Sequence, residues 1–585
     1  MQSVIKTTIG IIAALTPALL YSQSDSFDWP SQNLNNQGTR YAELDQIDRS
    51  NVSQLTEAWT YSPGRRDNII QVTPLVADGV MYLHSPNTMV ALDATTGTEL
   101  WRQPLDAGSA GGTVRASTYA DGRVYAYRGA DLYAFDADTG EAIRSFGDAG
   151  VVKVIVQALD KKYPDVYPVG SVDPVALGYR LTTPPTIQDG KMYVAAALSE
   201  GHIPGGLVIR LDLDSGTVDW VFNTIPQTPS DSGWELARDT WGTGQRVGGG
   251  VWTPPTIDAE MGLLYFNVAN PSPGYEGSSR EGSNLFTNST VALHLDSGEL
   301  AWHFQAIHHD IWDFDHATGP LLFDVTNDEG EVIKGVAAAS KSCLFFMWHR
   351  ETGEPLFPMV ETLVSTETDV PGEVVYPTQP IPYNARGVPM DPLCATFIPF
   401  DDAELAARSM PLYTPYSVTE PYIVAHGGPS YGSPSFSPRT NLIYITGKNA
   451  AISLNVKPVG DTLTPGPDAR GHTENYSTLD RLADEYPPNM TVSAYSPLDG
   501  ELVWQSVLPT ITSIGASGNL VTSGDLLFQG LQGGGFYGLD AENGETLFQY
   551  QASSRIRATP MTYAVDGKQY ISVIASNTVV TLALP

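Results

Sequence analysis

Short apolar runs separated by turn-forming residues dominate the chain, and one arrangement of them recurs. An apolar run leads to a polar residue, then to a Gly, then four positions later to a Trp, a Phe or, once, an Arg. Seven copies are present, at Ala91–Trp101, Ala134–Arg144, Arg210–Trp220, Ala292–Trp302, Met347–Phe357, Ala494–Trp504 and Gly538–Phe548. Each reads as strand, tight turn at the Gly, strand, with the closing aromatic free to staple a neighbouring unit. Most copies are preceded by a Pro-containing strand, an Asp-Gly turn and a second apolar strand, as in Thr73–Tyr82 and Pro185–Tyr193. Four short strands per unit repeated around a ring make a β-propeller. The gap between Gly353 and Gly500 leaves room for one more unit with a degraded tag near Asn441–Leu454. The expectation is therefore an all-β, eight-bladed propeller of four-stranded antiparallel blades held by tryptophan-type docking tags. Interruptions at 224–248, 360–425 and 456–488 are rich in Pro, Gly and acidic residues, which predicts loops walling a funnel over one face.

Charge narrows the functions open to such a ring. The 585 residues carry 32 basic and 65 acidic side chains, a formal net charge of −33, and such a surface repels phosphate backbones. Nucleic acid is excluded as a partner. Residues 1–24 read as a secretory signal, with Lys6 ahead of the apolar run Ile9–Leu20, and no later stretch is long enough to cross a membrane. The expectation is one propeller domain over 25–585, exported to a periplasm or beyond. Cys343 and Cys394 are the only cysteines. Their spacing permits a disulfide without demanding one, and Cys343 by itself reads as a packed strand cysteine. There is no Cys-x-x-Cys-His for covalent haem and no Cys-rich zinc pattern.

Candidate chemistry concentrates in His303–Asp315, which gathers Asp310, Asp313 and Asp315 with His308, His309 and Trp312. Carboxylates so close together repel one another unless a cation or a proton sits among them. An acidic surface loop in a very acidic protein is the plainer reading of the same residues.

Tags, turn elements and this segment together resemble the pyrroloquinoline quinone-dependent dehydrogenases, the eight-bladed quinoprotein alcohol and sugar dehydrogenases. The resemblance spans nearly the whole chain after the leader. It is carried most specifically by His308–Asp315, by Leu264–Pro273 with its Asn-Pro-Ser-Pro run, and by Asp566–Tyr570. It implies a quinone cofactor beside a hard cation, which calls for oxygen donors. Glu200, Asn270 and Asp313 match the metal ligands. Asp315 matches an extra carboxylate of lanthanide-using members that also occurs in calcium and magnesium enzymes, so calcium, magnesium and a lanthanide all stay open. Asp313 matches the general base, and a carboxylate beside a cation keeps the charge a base needs. Trp252 matches the floor on which the planar quinone stacks. Arg115 and Thr182, or its neighbour Thr183, match the carboxylate-binding positions. Lys341 matches the cation against the quinone oxygens, and Gln71 a position held by Glu or Gln. His308 and His309 read as structural, because an oxygen-seeking ion rarely recruits imidazole.

Departures from the family pattern bear on the substrate. Ala110–Arg115 stands where many alcohol-oxidising members carry two adjacent cysteines, and Asp369–Pro380 looks more like the sugar, polyol and cyclic-alcohol branch. The resemblance implies oxidation of a primary or secondary alcohol, polyol, sugar or cyclic alcohol, with electrons leaving to an external carrier such as a cytochrome c. The rival readings are a non-catalytic propeller scaffold of the outer-membrane assembly type and a carboxylate-based glycosidase or lyase.

Overall fold

The structure is a computed structural model, and it describes residues 26–64, 67–105, 112–168, 170–196, 202–457, 480–509 and 517–585. The segment 1–24 expected to be a leader, Glu200 and most of the 456–488 interruption lie outside the described residues.

Eight sheets form the propeller, antiparallel but for the short strand Tyr41–Ala42, which adds in parallel to the edge of the 519–551 sheet. Blade 1 runs over 75–104, blade 2 over 118–152, blade 3 over 186–223, blade 4 over 256–305, blade 5 over 321–349, blade 6 over 435–509, and blade 7 over 519–551. Inner strands such as Leu526–Gly530 and Gly535–Asp540 are buried throughout, because each blade is covered on both faces by its neighbours. Outer strands alternate, as in Leu502–Pro509, where only the residues turned toward the next blade are covered. Blade 5 has three strands rather than four. Its tag continues through Pro355, which has no N–H to donate, and the fourth strand shrinks to the single bridge Trp348–Pro355.

The tryptophan tags staple one blade to the next. Gly140 lies under the Trp101 ring at a left-handed φ of +72°, and a Cβ there would come within 2.7 Å of the indole. The Trp101 indole N–H donates to Ala137 O at 2.9 Å. Trp220, Trp302 and Trp504 repeat the arrangement on the Leu295, Arg350 and Ala541 carbonyls.

Blade 8 differs from the expectation drawn at Asn441–Leu454. Those residues belong to blade 6, where Leu442–Asn449 pairs with Asn489–Tyr495, and to a two-stranded side sheet of Ala451–Leu454 with Tyr422–Ala425. The eighth blade is built from the C-terminal strands Met561–Val565, Lys568–Ala575 and Thr578–Ala583, closed by the N-terminal strand Thr56–Tyr61. Its staple is Trp59, whose indole N–H donates to Ala94 O at 3.1 Å and whose ring covers Gly97 of blade 1. The tag is split between the two ends of the chain, so no contiguous copy exists. Trp59→Ala therefore loosens the ring where the N-terminal strand closes the C-terminal blade. It is expected to cost about 3–5 kcal/mol, read as a lower urea midpoint, with the half-buried Trp101→Ala costing less.

The 360–425 interruption is structured. It holds the hairpin Met359–Leu363/Thr378–Pro382, a short helix Ala403–Arg408 capped by Asp402, and the strand Tyr422–Ala425. Among the described residues no helix is long and apolar enough to cross a membrane.

Candidate functional site

One register delivers most of the site. The innermost strands of blades 1, 3, 4, 6 and 8 begin at Leu75, Thr186, Thr256, Ser435 and Met561. Gln71, Thr182, Trp252, Tyr431 and Arg557 each stand four positions earlier, and Arg115 stands three before Thr118 of blade 2. In the first five a Ser, Thr or Pro and then a Pro lead into the strand, a stiff entry that points the residue ahead of it toward the axis.

Arg115 ties these entries together across the axis. Its Nη1 donates to Trp252 O at 2.8 Å and to Thr182 O at 3.2 Å. Its guanidinium lies 5.3 Å from the Trp252 ring centre and 5.0 Å from that of Tyr431. A cavity of about 470 Å³ opens beside it, lined by Gln71, Gly112, Thr113, Arg180, Thr182 and Arg557 among others. Thr182 Oγ1, Thr183 Oγ1 and Gln71 Oε1 are buried with no partner among the described residues, as are the Nε atoms of Arg180 and Arg557. Buried hydroxyls and guanidinium Nε atoms left without acceptors suit a polyanionic ligand, and the volume is that of a small-molecule site. A second cavity, about 150 Å³ between 30–36 and the Pro184–Ile187 entry, is lined by no charged side chain.

The carboxylates come from the connection between blades 4 and 5. Lys341 Nζ pairs with Asp315 and lies 3.3 Å from Asp313 Oδ2. Asp315 Oδ1 accepts the Asn270 backbone N–H at 2.8 Å. The Asn270 side-chain nitrogen donates to Pro271 O at 2.9 Å, so its oxygen is the atom available to a cation. Asp313 sits at φ +59°, its N–H on Gly274 O at 2.9 Å, and Oδ2 accepts the Tyr275 hydroxyl at 3.3 Å. Gly274 separates the two candidate ligands: a Cβ there would lie 2.8 Å from Asn270 Nδ2 and 3.8 Å from Asp313 Oδ1. Asn270, Asp313 and Asp315 thus meet, in donor chemistry that suits a hard cation. Among the described residues no three His, Cys, Asp or Glu side chains group as a metal cage, and the remaining expected ligand, Glu200, lies outside them.

The third carboxylate of the segment does different work. Asp310 is wholly buried and accepts from Trp312 N, Phe314 N and Asn288 Nδ2 at 2.8, 2.9 and 3.0 Å, bracketing Asp313. Burial pushes its carboxyl up to about 6. Arg280, also fully buried, donates to the carbonyls of Pro273, Glu276 and Asp310 and so ties the Asn-Pro-Ser-Pro turn to the acidic segment.

Cys343 and Cys394 form a disulfide, with Cα atoms 5.2 Å apart. This corrects the reading of Cys343 as a packed strand cysteine: it occupies a turn at φ +68°, two residues after Lys341, and joins that turn to the 360–425 interruption.

Sequence reasoning missed Arg180, Arg557, Tyr431, Tyr275 and Lys448. Lys448 is buried near Lys341 and Arg557, and burial followed by those two charges lowers its amine to about 7. Arg557 and Tyr431 were findable, since they occupy the same register before an innermost strand as Gln71, Thr182 and Trp252.

Comparison with known proteins gives a consistent outcome. Residues 29–571 match the family described as PQQ: glucose/ethanol/alcohol dehydrogenase, beta-propeller domain. The chain is 31% identical to the dehydrogenase subunit of the alcohol dehydrogenase (quinone) of Komagataeibacter europaeus, over 95% of this chain and 72% of that one. It is 26% identical to the glycerol dehydrogenase large subunit of Gluconobacter thailandicus, over 94% and 83%. The solved structure of quinohemoprotein alcohol dehydrogenase ADHIIG from Pseudomonas putida HK5 superposes with a TM-score of 0.73 at 25% identity, covering 95% of this chain and 80% of that one. A europium-containing methanol dehydrogenase shares the fold, with a TM-score of 0.69 at 21% identity over 96% and 99%.

Proposed function

The chain belongs to the pyrroloquinoline quinone-dependent glucose/ethanol/alcohol dehydrogenase family, and from that premise we propose that it oxidises a primary or secondary alcohol, polyol, sugar or cyclic alcohol to the carbonyl compound, with Asp313 as general base. It is a quinone-dependent oxidoreductase. The observation that carries the finer reading is the meeting of Asp313, Asp315, Asn270 and Lys341 at one point, together with a cavity lined by Arg180, Arg557 and Thr182.

The quinone supplies a two-electron acceptor for the substrate hydride, and a hard cation beside it polarises the accepting carbonyl. Arg115, Thr182 or Thr183, Arg180, Arg557 and Gln71 would bind its carboxylates, and Trp252 would supply a flat apolar floor. Asn270, Asp313 and Asp315, with Glu200, would hold calcium, magnesium or a lanthanide. Asp313 Oδ2 takes the hydroxyl proton of the alcohol. Lys341 and the Tyr275 hydroxyl orient that carboxylate before substrate arrives. Trp312 and Phe314, on either side of Asp313 in the chain, are buried in the core and anchor the segment that carries it. Electrons then pass to an external carrier such as a cytochrome c, and the protein works as one exported propeller domain in the periplasm or outside the cell.

Purified protein reconstituted with pyrroloquinoline quinone and calcium, and assayed with an artificial dye on a panel of primary, secondary, cyclic and polyhydric alcohols, tests this reading. Dye reduction that requires both quinone and alcohol is expected. No turnover on any of them with calcium, magnesium or lanthanum would refute it.

A further inference from the structure

We propose that Glu373, from the 360–425 interruption, and His309 form a positioning pair for Asp313, so that the interruption is part of the catalytic apparatus and not only its wall. This rests on the reading of Asp313 as the base.

The pair is wholly enclosed. His309 Nε2 and Glu373 Oε1 are 2.8 Å apart, with side chains 0% and 1% exposed. The other ring nitrogen, Nδ1, faces Gly282 O at 2.7 Å. Both nitrogens therefore meet oxygen acceptors, and the pair must hold two protons between them to satisfy both contacts. Glu373 Oε2 accepts the Gly277 N–H at 2.5 Å. A Cβ on Gly277 would fall 2.3 Å from His309 Nε2, so the close approach depends on glycine there. Arg280, Glu276 and Asp310 are the other charged groups around the pair. A buried ion pair adds little net stability over apolar side chains of the same volume, and its best-attested use is to fix one conformation.

The conformation fixed here is the one that presents Asp313. His309 sits at φ +47°, a backbone state a non-glycine residue holds only when its surroundings impose it. The same interruption grips the preceding residue. Gln379, fully buried, accepts from His308 N at 2.9 Å and donates to His308 O at 2.8 Å, and Glu361 meets His308 Nε2 at 3.1 Å. Asp310 follows directly and binds the N–H groups of Trp312 and Phe314 on either side of Asp313. Three side chains of the interruption thus hold consecutive residues at the root of the loop that carries the base.

The test uses Glu373→Gln, His309→Gln and the double variant in the full-length, quinone- and calcium-loaded protein. kcat per loaded site, KM, quinone affinity by tryptophan fluorescence, and melting temperature are the readouts. A displaced base predicts kcat lower by roughly 10- to 100-fold in each single variant. KM and quinone Kd should stay within about threefold, and the double variant should be no worse than the worse single, because both changes break one contact. A kcat within about twofold of the parent in Glu373→Gln would overturn the proposal. Should the single variants not fold, Glu373→Leu with His309→Leu removes both charges together and carries the same test: kcat lowered at unchanged KM supports the proposal, and unchanged kcat overturns it. An inactive parent protein would instead count against the assignment of Asp313 and of the reaction itself.

Discussion

Asp313→Ala is expected to lower kcat by about 10³-fold, roughly 4 kcal/mol of barrier, while leaving the fold intact. Its side chain is 19% exposed and meets Lys341 and the Tyr275 hydroxyl, and Lys341 keeps Asp315 as a partner when it is removed, so no wholly buried charge is orphaned. The shape of the segment is set by its neighbours: Asp310 holds the amides of Trp312 and Phe314, and Arg280 holds the Asp310 carbonyl. Steady-state kinetics with saturating quinone and calcium, alongside a thermal melt, separate the two effects. Asp310→Asn should behave in the opposite way, with a lower melting temperature and a smaller loss of turnover, because an amide cannot accept at both positions and the site is buried.

Arg180→Ala and Arg557→Ala form the second prediction. Each guanidinium lines the cavity and each has an Nε without a partner among the described residues. A charge-assisted hydrogen bond to a carboxylate contributes about 1.5–3 kcal/mol. Each substitution should therefore weaken quinone binding by roughly 10- to 100-fold, with a smaller dependence of Kd on salt than in the parent. Turnover at saturating quinone should change much less, since neither side chain contacts Asp313. Fluorescence titration of each variant at two ionic strengths checks both statements.

How much of this was legible in the sequence depends on how local each feature is. The tags are local: the Asp93 carboxylate binds the amides of Thr95 and Thr96, Gly97 takes the left-handed turn, and the whole device lies within eleven residues. Seven copies could therefore be read directly. The eighth could not, because Trp59 reaches its blade only after the ring closes on strands that begin at Met561. The disulfide is non-local in the same sense, joining cysteines at a sequence separation of 51 with no pattern in between. Asp313, Asp315, Asn270 and Lys341 lie in motifs, and the structure brings them together. Arg557 and Tyr431 escaped notice although the chain's own repeat marks them, since only the blade register shows that the residue four before each innermost strand faces the axis. Glu373 had no such mark. It sits in an interruption that repeats nothing, and its importance comes from a buried histidine 64 residues away.

The central claim is that entries from six blades converge to hold one planar polyanion beside a hard cation. Titrating pyrroloquinoline quinone into the metal-depleted protein, with and without added calcium, tests it most directly. Saturable quenching of tryptophan fluorescence at one quinone per chain is expected, tightened by calcium and lost in Trp252→Ala combined with Arg115→Ala. Absence of saturable binding with calcium present, or binding that the double variant leaves unchanged, would contradict it.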